Sequence, residues 1–406
     1  MFKPSLFAIL LLSVTGLHAQ QISTAGRMDL ERYLAEQVAQ SHIPGLVALV
    51  TNGDQVIYHS AFGLMDTGKS KAMTRDAIFR IASMTKPVTS LAVMMLVEEG
   101  KVALDDPIEK YLPDLANREV FTSFDVETGK YTSRPAERKI TVRHLLTHTS
   151  GLGYTFDSPE LLKLLGGNFG ASATTVPLLH EPGEAWTYGE STRVLGHLVE
   201  AVSGQELFAF MQDRILGPLD MDDTAFDEPA EKNPRVVTVH RSNGSELLED
   251  ANPEGVISSP HNGDGGLAAP AADYAKFIRL FLNDGVADSG ARLVTAATVD
   301  NMDRGHMENG TKVRLMATTN ELLSLPFPLG AGVDTYGLGF QITEQQLPDM
   351  RAPGSMAWAG IYNTEFWIDR KNNIGAVLMM QYLPFYDAKA IEVLQGFEQR
   401  IYANLE

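Results

Sequence analysis

GLVALVTNGDQVIYHSAFG, residues 45–63, sets two apolar runs on either side of Asn52-Gly53. Asn-Gly between strand-like runs is the strongest short hairpin signal. Two strands alone do not hold together in water, so this hairpin needs partners. The other end of the chain offers them. YGLGFQI (336–342), WAGIYNTEFWID (358–369) and NIGAVLMMQY (373–382) read as three successive strands, the last two joined by a turn around Arg370–Asn373. The expectation is an α/β (α+β) fold, with one antiparallel sheet drawn from both chain ends and helices packed on it.

Helical spacing runs from Met28 to Ser41 and again along DAKAIEVLQGFEQRIYANL (387–405). SMTKPVTSLAVMMLVEEG (83–100) is apolar nearly all round and ends at Gly100, the pattern of a buried helix with a glycine cap. Between Asp106 and Pro328 the chain reads as helix and loop, with helices at Thr141–His148, Thr192–Val202, Glu206–Ile215 and Ala271–Leu282. The organisation expected is an α/β domain from residues 20–105 and 330–406, with a mostly helical domain, 106–329, inserted.

The chain has 406 residues and a formal net charge of −18, which repels phosphate backbones and argues against nucleic acid as a partner. Cysteine is absent, which excludes disulfides, thiolate metal sites, a cysteine nucleophile and a lipoprotein anchor built on cysteine. Residues 1–19 carry Lys3, an apolar run from Leu6 to Leu17 and a small residue, Ala19, at a plausible cleavage point. That is a signal-peptide pattern. The run is shorter than the ~20 residues a spanning helix needs. The mature protein is expected to be periplasmic or secreted, with no membrane anchor after signal removal.

Ser83-Met84-Thr85-Lys86 is an S-x-x-K that follows a strand-like stretch (AIFRIA) and opens the buried helix. Residues three apart share a helix face with Cβ atoms ~5–6 Å apart, within reach for Lys86 to meet the Ser83 hydroxyl. A helix N-terminus also has unpaired N–H groups that favour developing negative charge. EPGEAWTYGESTRVLGHLVEAVSG (181–204) holds Tyr188 just before an apolar helix, and SMAWAGIYNTEFWID (355–369) holds Trp358-Ala359-Gly360 at a strand.

With these segments the sequence resembles the class C β-lactamase and penicillin-binding-protein superfamily of active-site serine enzymes. ITVRHLLTHTSGL, VSGQELFAFMQDRILGPLDMDDTAF and GDGGLAAPAADYAKF look like recurring blocks of that family. The resemblance implies that Ser83 is acylated, that Lys86 is its neighbouring base, and that Tyr188 shuttles a proton between nucleophile and leaving group. Trp358-Ala359-Gly360 stands where the family has K-T-G, and the backbone N–H groups of Ser83 and Ile361 would form the oxyanion hole. Free Lys titrates near 10.4 and Tyr near 10, so either must be shifted to act as a base, and the sequence leaves open which does.

Two departures bear on substrate. The K-T-G lysine, which meets a substrate carboxylate, is Trp358 here, and the Asn of the Tyr motif is Glu190. Both argue against β-lactam turnover and toward the carboxylesterase branch called family VIII, with a small-molecule ester or amide as partner and no cofactor. Trp186, Tyr362 and Phe366 are candidates to line an apolar acyl pocket. Glu190 leaves room for a D-stereospecific aminopeptidase, should its carboxylate hold a substrate ammonium, or it turns into its helix N-terminus. A class C-like β-lactamase and a penicillin-binding sensor or inactive scaffold complete the alternatives. His144 and His148 lie four apart, but H-E-x-x-H and a third ligand are missing, and G-x-S-x-G is absent.

Overall fold

The computed structural model describes residues 20–40, 43–226, 233–242, 247–249 and 262–406. The signal-peptide reading falls on residues 1–19, outside the described residues.

The described residues form a main sheet of eight strands. In spatial order these are β11 (Thr335–Tyr336), β12 (Gln341–Ile342), β13 (Met356–Gly360), β14 (Thr364–Asp369), β15 (Ile374–Met379), β1 (Gly45–Thr51), β2 (Val56–Asp66) and β3 (Lys71–Ala72). Neighbours are antiparallel throughout, and both chain ends meet where Val47 stands opposite Met379 on one side and Ala61 on the other. The early hairpin is thus completed by the late strands. Its connection spans four residues, Asn52–Gln55, because the Asn52 side chain accepts from the N–H groups of Asp54 and Gln55 (both 2.8 Å) and closes the loop itself.

β1 is covered on both faces, which explains its unbroken apolar run. On one face Leu46, Ala48 and Val50 pack against α1 (Thr24–Gln40) and α9 (Ala388–Ala403). On the other, Val47 and Leu49 join the core of α2 (Thr85–Glu98) and α7 (Ala271–Leu282). Gly100 follows α2 at φ +71°, as a terminating glycine should.

Two of the expected strands are each divided. WAGIYNTEFWID turns at Ile361–Asn363, with Asn363 at φ +61° and its amide pinned to the carbonyls of Tyr382 (2.8 Å) and Pro384 (2.9 Å). YGLGFQI turns between β11 and β12, where a Cβ on Gly337 would meet the Met302 carbonyl oxygen at 2.4 Å. Both stretches are apolar on either side of the turn, so hydrophobicity alone conceals it.

The middle of the chain carries α3 (Val142–Leu146), α4 (Pro159–Leu164), α5 (Ser191–Ser203), α6 (Leu207–Met211) and α8 (Ala296–Met302). It also carries a hairpin, β5 (Glu119–Phe124) with β6 (Tyr131–Pro135). β10 (Leu267–Ala269) lies between β4 (Phe79–Arg80) and β7 (Ala225–Phe226), while β8 (His240–Ser242) lies between β16 (Tyr382–Leu383) and β9 (Leu247–Glu249). α7 belongs to the middle of the sequence but packs on β1, β14 and β15. Its amphipathic face, with Tyr274, Phe277, Ile278 and Phe281, finds a sheet rather than another helix.

Candidate active site

Ser83 sits in a single tight turn, Ala82–Met84, that leads directly into α2. Three anchors fix this turn. The Ile81 N–H donates to the Leu267 carbonyl (3.0 Å), the Leu267 N–H donates to Thr85 Oγ1 (3.2 Å), and Thr89 Oγ1 donates to the Gly263 carbonyl (2.6 Å). The segment just before β10 is therefore stitched to the first turns of α2. Ala82 is held at φ +44°, a conformation that costs an L-residue ~1–2 kcal/mol.

Lys86 Nζ lies 3.1 Å from Ser83 Oγ and donates to the Asp264 carbonyl at 2.6 Å. The side chain is fully buried, and its ammonium lies over the rings of Tyr188 (4.8 Å) and Tyr154 (5.4 Å). Burial pulls Lys86 down from 10.5 to about 7, helped by the positive charge of Arg193 and opposed by Asp264, Glu190 and Asp157. The Tyr188 hydroxyl bonds Ser83, while burial pushes its phenol far up, so Tyr188 keeps its proton. The Trp358 indole N–H donates to the Tyr188 oxygen at 3.4 Å. Two of the motifs read from the sequence thus meet at the Ser83 hydroxyl, and the third reaches it through Tyr188.

Gly360 is required by the meeting of two backbones. A Cβ there would stand 2.3 Å from the Ile81 carbonyl oxygen, so only glycine lets the end of β13 close on the nucleophile turn. Thr364 Oγ1 reinforces the contact by donating to the same carbonyl at 3.4 Å. Outside the bonds internal to helices and strands, no backbone carbonyl among the described residues takes the N–H of Ser83 or of Ile361.

A cavity of about 460 Å³ opens on Ser83, Tyr188, Glu190, Trp358, Ala359 and Ile361. The acyl-pocket expectation needs correction. Tyr362 is wholly buried with Ala82, Val239, Leu323 and Leu383 and does not line the cavity, nor does Gly360. Trp186 packs in the core against His148, Tyr188, Tyr336 and Trp358, and Phe366 against Tyr274 and Phe340. The apolar wall comes instead from Phe156, Phe169, Phe327 and Phe385. Phe366 is paired with Trp358 across β13 and β14 but lies one strand further in, under Tyr274 and Phe340, and Tyr362 is carried into a separate cluster by the turn after β13, so proximity in sequence to Trp358 does not place a side chain in its pocket.

Glu190 borders the cavity, but its carboxylate is already engaged. It pairs with Arg193 and accepts from Ser172 Oγ (2.9 Å) and the Ala173 N–H (2.8 Å). Burial nonetheless raises it above the usual carboxylate range. It makes no side-chain cap to α5. His144 closes a capping box on Thr141 and meets Glu308 at 3.2 Å, while His148 lies beyond α3 against Tyr188 and Tyr336, so the two do not converge.

Sequence reading missed four neighbours of Lys86. Tyr154 donates to Asp264 Oδ2 at 2.5 Å, Arg193 reaches the same oxygen at 3.4 Å, and Asp157 is a buried carboxyl held far above its ordinary value by desolvation. Asp264 and Arg193 lie within family-like segments quoted above, and Tyr154 two residues past one; Tyr154, Asp157 and Asp264 sit in loops, and Arg193 is one of several polar residues on α5, so no periodicity singles them out.

Comparison with known proteins agrees with this geometry. A family model described as Beta-lactamase matches residues 30–395. A Mycobacterium tuberculosis protein, Rv1367c, is 32% identical over 377 residues, 87% of this chain and 90% of its own. Lovastatin esterase of Penicillium rubens is 29% identical over 383 residues, 89% of this chain and 94% of its own. Among solved structures, unliganded simvastatin synthase (LovD) from Aspergillus terreus superposes with a TM-score of 0.80 at 25% identity, covering 94% of this chain and 99% of the other. With its Ser-Lys-Tyr centre assembled at the junction of sheet and helices, this chain belongs to the Beta-lactamase family.

Proposed function

We propose that this protein is a carboxylesterase-type serine hydrolase that acts through a Ser83 acyl-enzyme on esters with apolar acyl groups. The observation that carries the reading is Trp358. An indole stands where a β-lactam or peptide carboxylate would need a cation, and its N–H donates to the Tyr188 oxygen. The similarity to lovastatin esterase supports an ester substrate. Export rests on the N-terminal sequence pattern alone.

In this mechanism neutral Lys86 takes the Ser83 proton as Oγ attacks the ester carbonyl, and the N–H groups of Ser83 and Ile361 receive the oxyanion. Tyr188, kept protonated by burial, gives its proton to the departing alkoxide and regains one from Lys86. Water then reverses the sequence and frees the carboxylic acid. An alcohol in place of that water would give acyl transfer, the second reading, favoured by the fold shared with simvastatin synthase.

Purified protein should hydrolyse short aryl esters with a burst, and intact-mass analysis of quenched reactions should show one acyl adduct. Ser83→Ala should lose both. Normal ester turnover by folded Ser83→Ala, or hydrolysis of a chromogenic cephalosporin that outpaces every ester, would overturn the proposal.

A further inference from the structure

The cavity does not end at the nucleophile. It continues along β13 and β14 to α9, where its lining includes Glu365, Arg351, Glu398, Asp334 and Leu394. This arm exists because of the small side chains of β13. Ala357 packs against the cluster that holds Val393, Leu394 and Phe397 of α9, and Ala359, which also lines the cavity, stands directly opposite Glu365 in the sheet register. Larger residues on that face would fill the space between sheet and helix.

Glu365 is the unusual member. Only 7% of it is exposed, it borders the cavity, and among the described residues no hydrogen bond reaches its carboxyl. The charges nearest to it are Arg351 and Glu398. Arg351 is already committed. Its guanidinium grips Glu398 through two bonds (2.7 and 2.6 Å) and stacks over Trp367 at 4.8 Å. Asp334 is satisfied too, accepting from Gln341 Nε2 (2.6 Å) and the Glu344 N–H (3.0 Å). Tyr386, whose hydroxyl accepts from the Leu329 N–H (3.1 Å), also faces this end. The arm therefore holds three carboxyls against one guanidinium, and the one without a partner is aimed at empty space. A buried carboxyl left unpaired is costly, and a ligand that pairs it recovers that cost.

We infer that this arm is a subsite for an ammonium group at the far end of the substrate, held by Glu365 while apolar chain fills the space back to Ser83. The inference rests on the acyl-enzyme reading for the position of the ester, and it names the other end of the substrate. Desolvation holds the empty Glu365 near 8, opposed by Arg351 and reinforced by Glu398. An incoming ammonium favours the ionised form, so binding releases a proton near neutral pH. The preference for an ammonium tail strengthens as pH rises from about 6 to about 9, where Glu365 ionises and an alkyl ammonium is still charged.

The test compares aryl esters of straight-chain acids that end in methyl, hydroxyl or ammonium, over a series of chain lengths. At one length the wild type should prefer the ammonium tail over methyl by about tenfold or more in kcat/KM, a ratio that collapses toward unity in Glu365→Gln. Ala357→Leu, which narrows the arm without touching the acid, should lower the same ratio. A wild-type ratio near unity at every length and pH, or a ratio unchanged by both variants, overturns the inference, as does selectivity for the hydroxyl tail. Calorimetry of hexylammonium against hexanol on Ser83→Ala protein reads the arm without any chemistry. Tighter hexylammonium binding, with proton release that Glu365→Gln abolishes, supports the subsite even if no ester is turned over. Equal binding of the two rules it out, whatever the fate of the esterase reading.

Discussion

Lowering the pH through neutrality should switch off attack by Ser83, because Lys86 must be uncharged to take its proton. Burial brings Lys86 from 10.5 to about 7. That displacement corresponds to about 5 kcal/mol in favour of the neutral amine. At about pH 7.5 roughly three quarters of the molecules then carry a neutral Lys86, against about one in a thousand for an ordinary lysine. For an uncharged aryl ester, kcat/KM should rise about tenfold per pH unit below 7 and flatten above it, standing about thirtyfold under the plateau near pH 5.5. The assay is initial-rate hydrolysis of a fluorogenic ester, with stability checked at each pH. The other groups around Lys86 bear on the assignment. His148 is kept neutral by burial, and Tyr188 and Tyr154 keep their protons, so none of these changes charge in the window. Asp157, raised by desolvation, is the competitor. In Asp157→Asn the limb should persist, shifted slightly down because a negative neighbour is gone. A flat profile from about pH 5.5 to 9, or a limb that vanishes in Asp157→Asn, would refute the assignment of Lys86 as base.

Two further substitutions probe how the site is built. Glu190→Gln removes one of the two carboxylates paired with Arg193 and weakens the acceptor for Ser172 and Ala173, and should cost about 2–3 kcal/mol in chemical denaturation. Unchanged stability with selective loss of D-amino-acid amide hydrolysis would show instead that Glu190 serves a substrate ammonium. Ala82→Val places a β-branched residue at φ +44° and should cost about 2 kcal/mol or more, whereas Ala82→Gly should stay within about 1 kcal/mol of wild type by the same measurement.

The nucleophile, the base and the tyrosine were legible because S-x-x-K and the Tyr188 segment resemble the family's motifs, each set just before or at the start of an apolar helix. The pairing of β1 with β15 was legible because a lone hairpin cannot stand. The turn inside WAGIYNTEFWID was not, because Ile361-Tyr362-Asn363 is nearly as apolar as its flanks and only Asn363 can take the positive φ. The acyl wall was misplaced because Tyr362 and Phe366 were judged by distance along the chain, whereas the turn carries Tyr362 into a separate cluster and Phe366, though paired with Trp358, lies one strand further in against Tyr274 and Phe340. Phe327 and Phe385 come from distant segments, and nothing local in the sequence ties them to the site. Glu365 was hidden among apolar strand residues, where a single acid reads as an ordinary interruption.

The sheet that joins the two chain ends has a consequence in time as well as in space. A chain emerging from the ribosome makes Ser83, Lys86 and Tyr188 long before it makes Trp358, Gly360 and Ile361. Until β15 arrives, β1 has no neighbour on that side, and the nucleophile turn lacks the backbone that presses against Ile81. On the proposed mechanism a half-made chain has the serine but lacks the Ile361 N–H that receives the oxyanion, and should be inactive. The same arrangement makes folding depend on contacts remote in sequence, which slows it. On the proposed esterase reading activity requires the late strands, so the gain of esterase signal during refolding should report closure of the sheet rather than formation of the helix that bears the nucleophile.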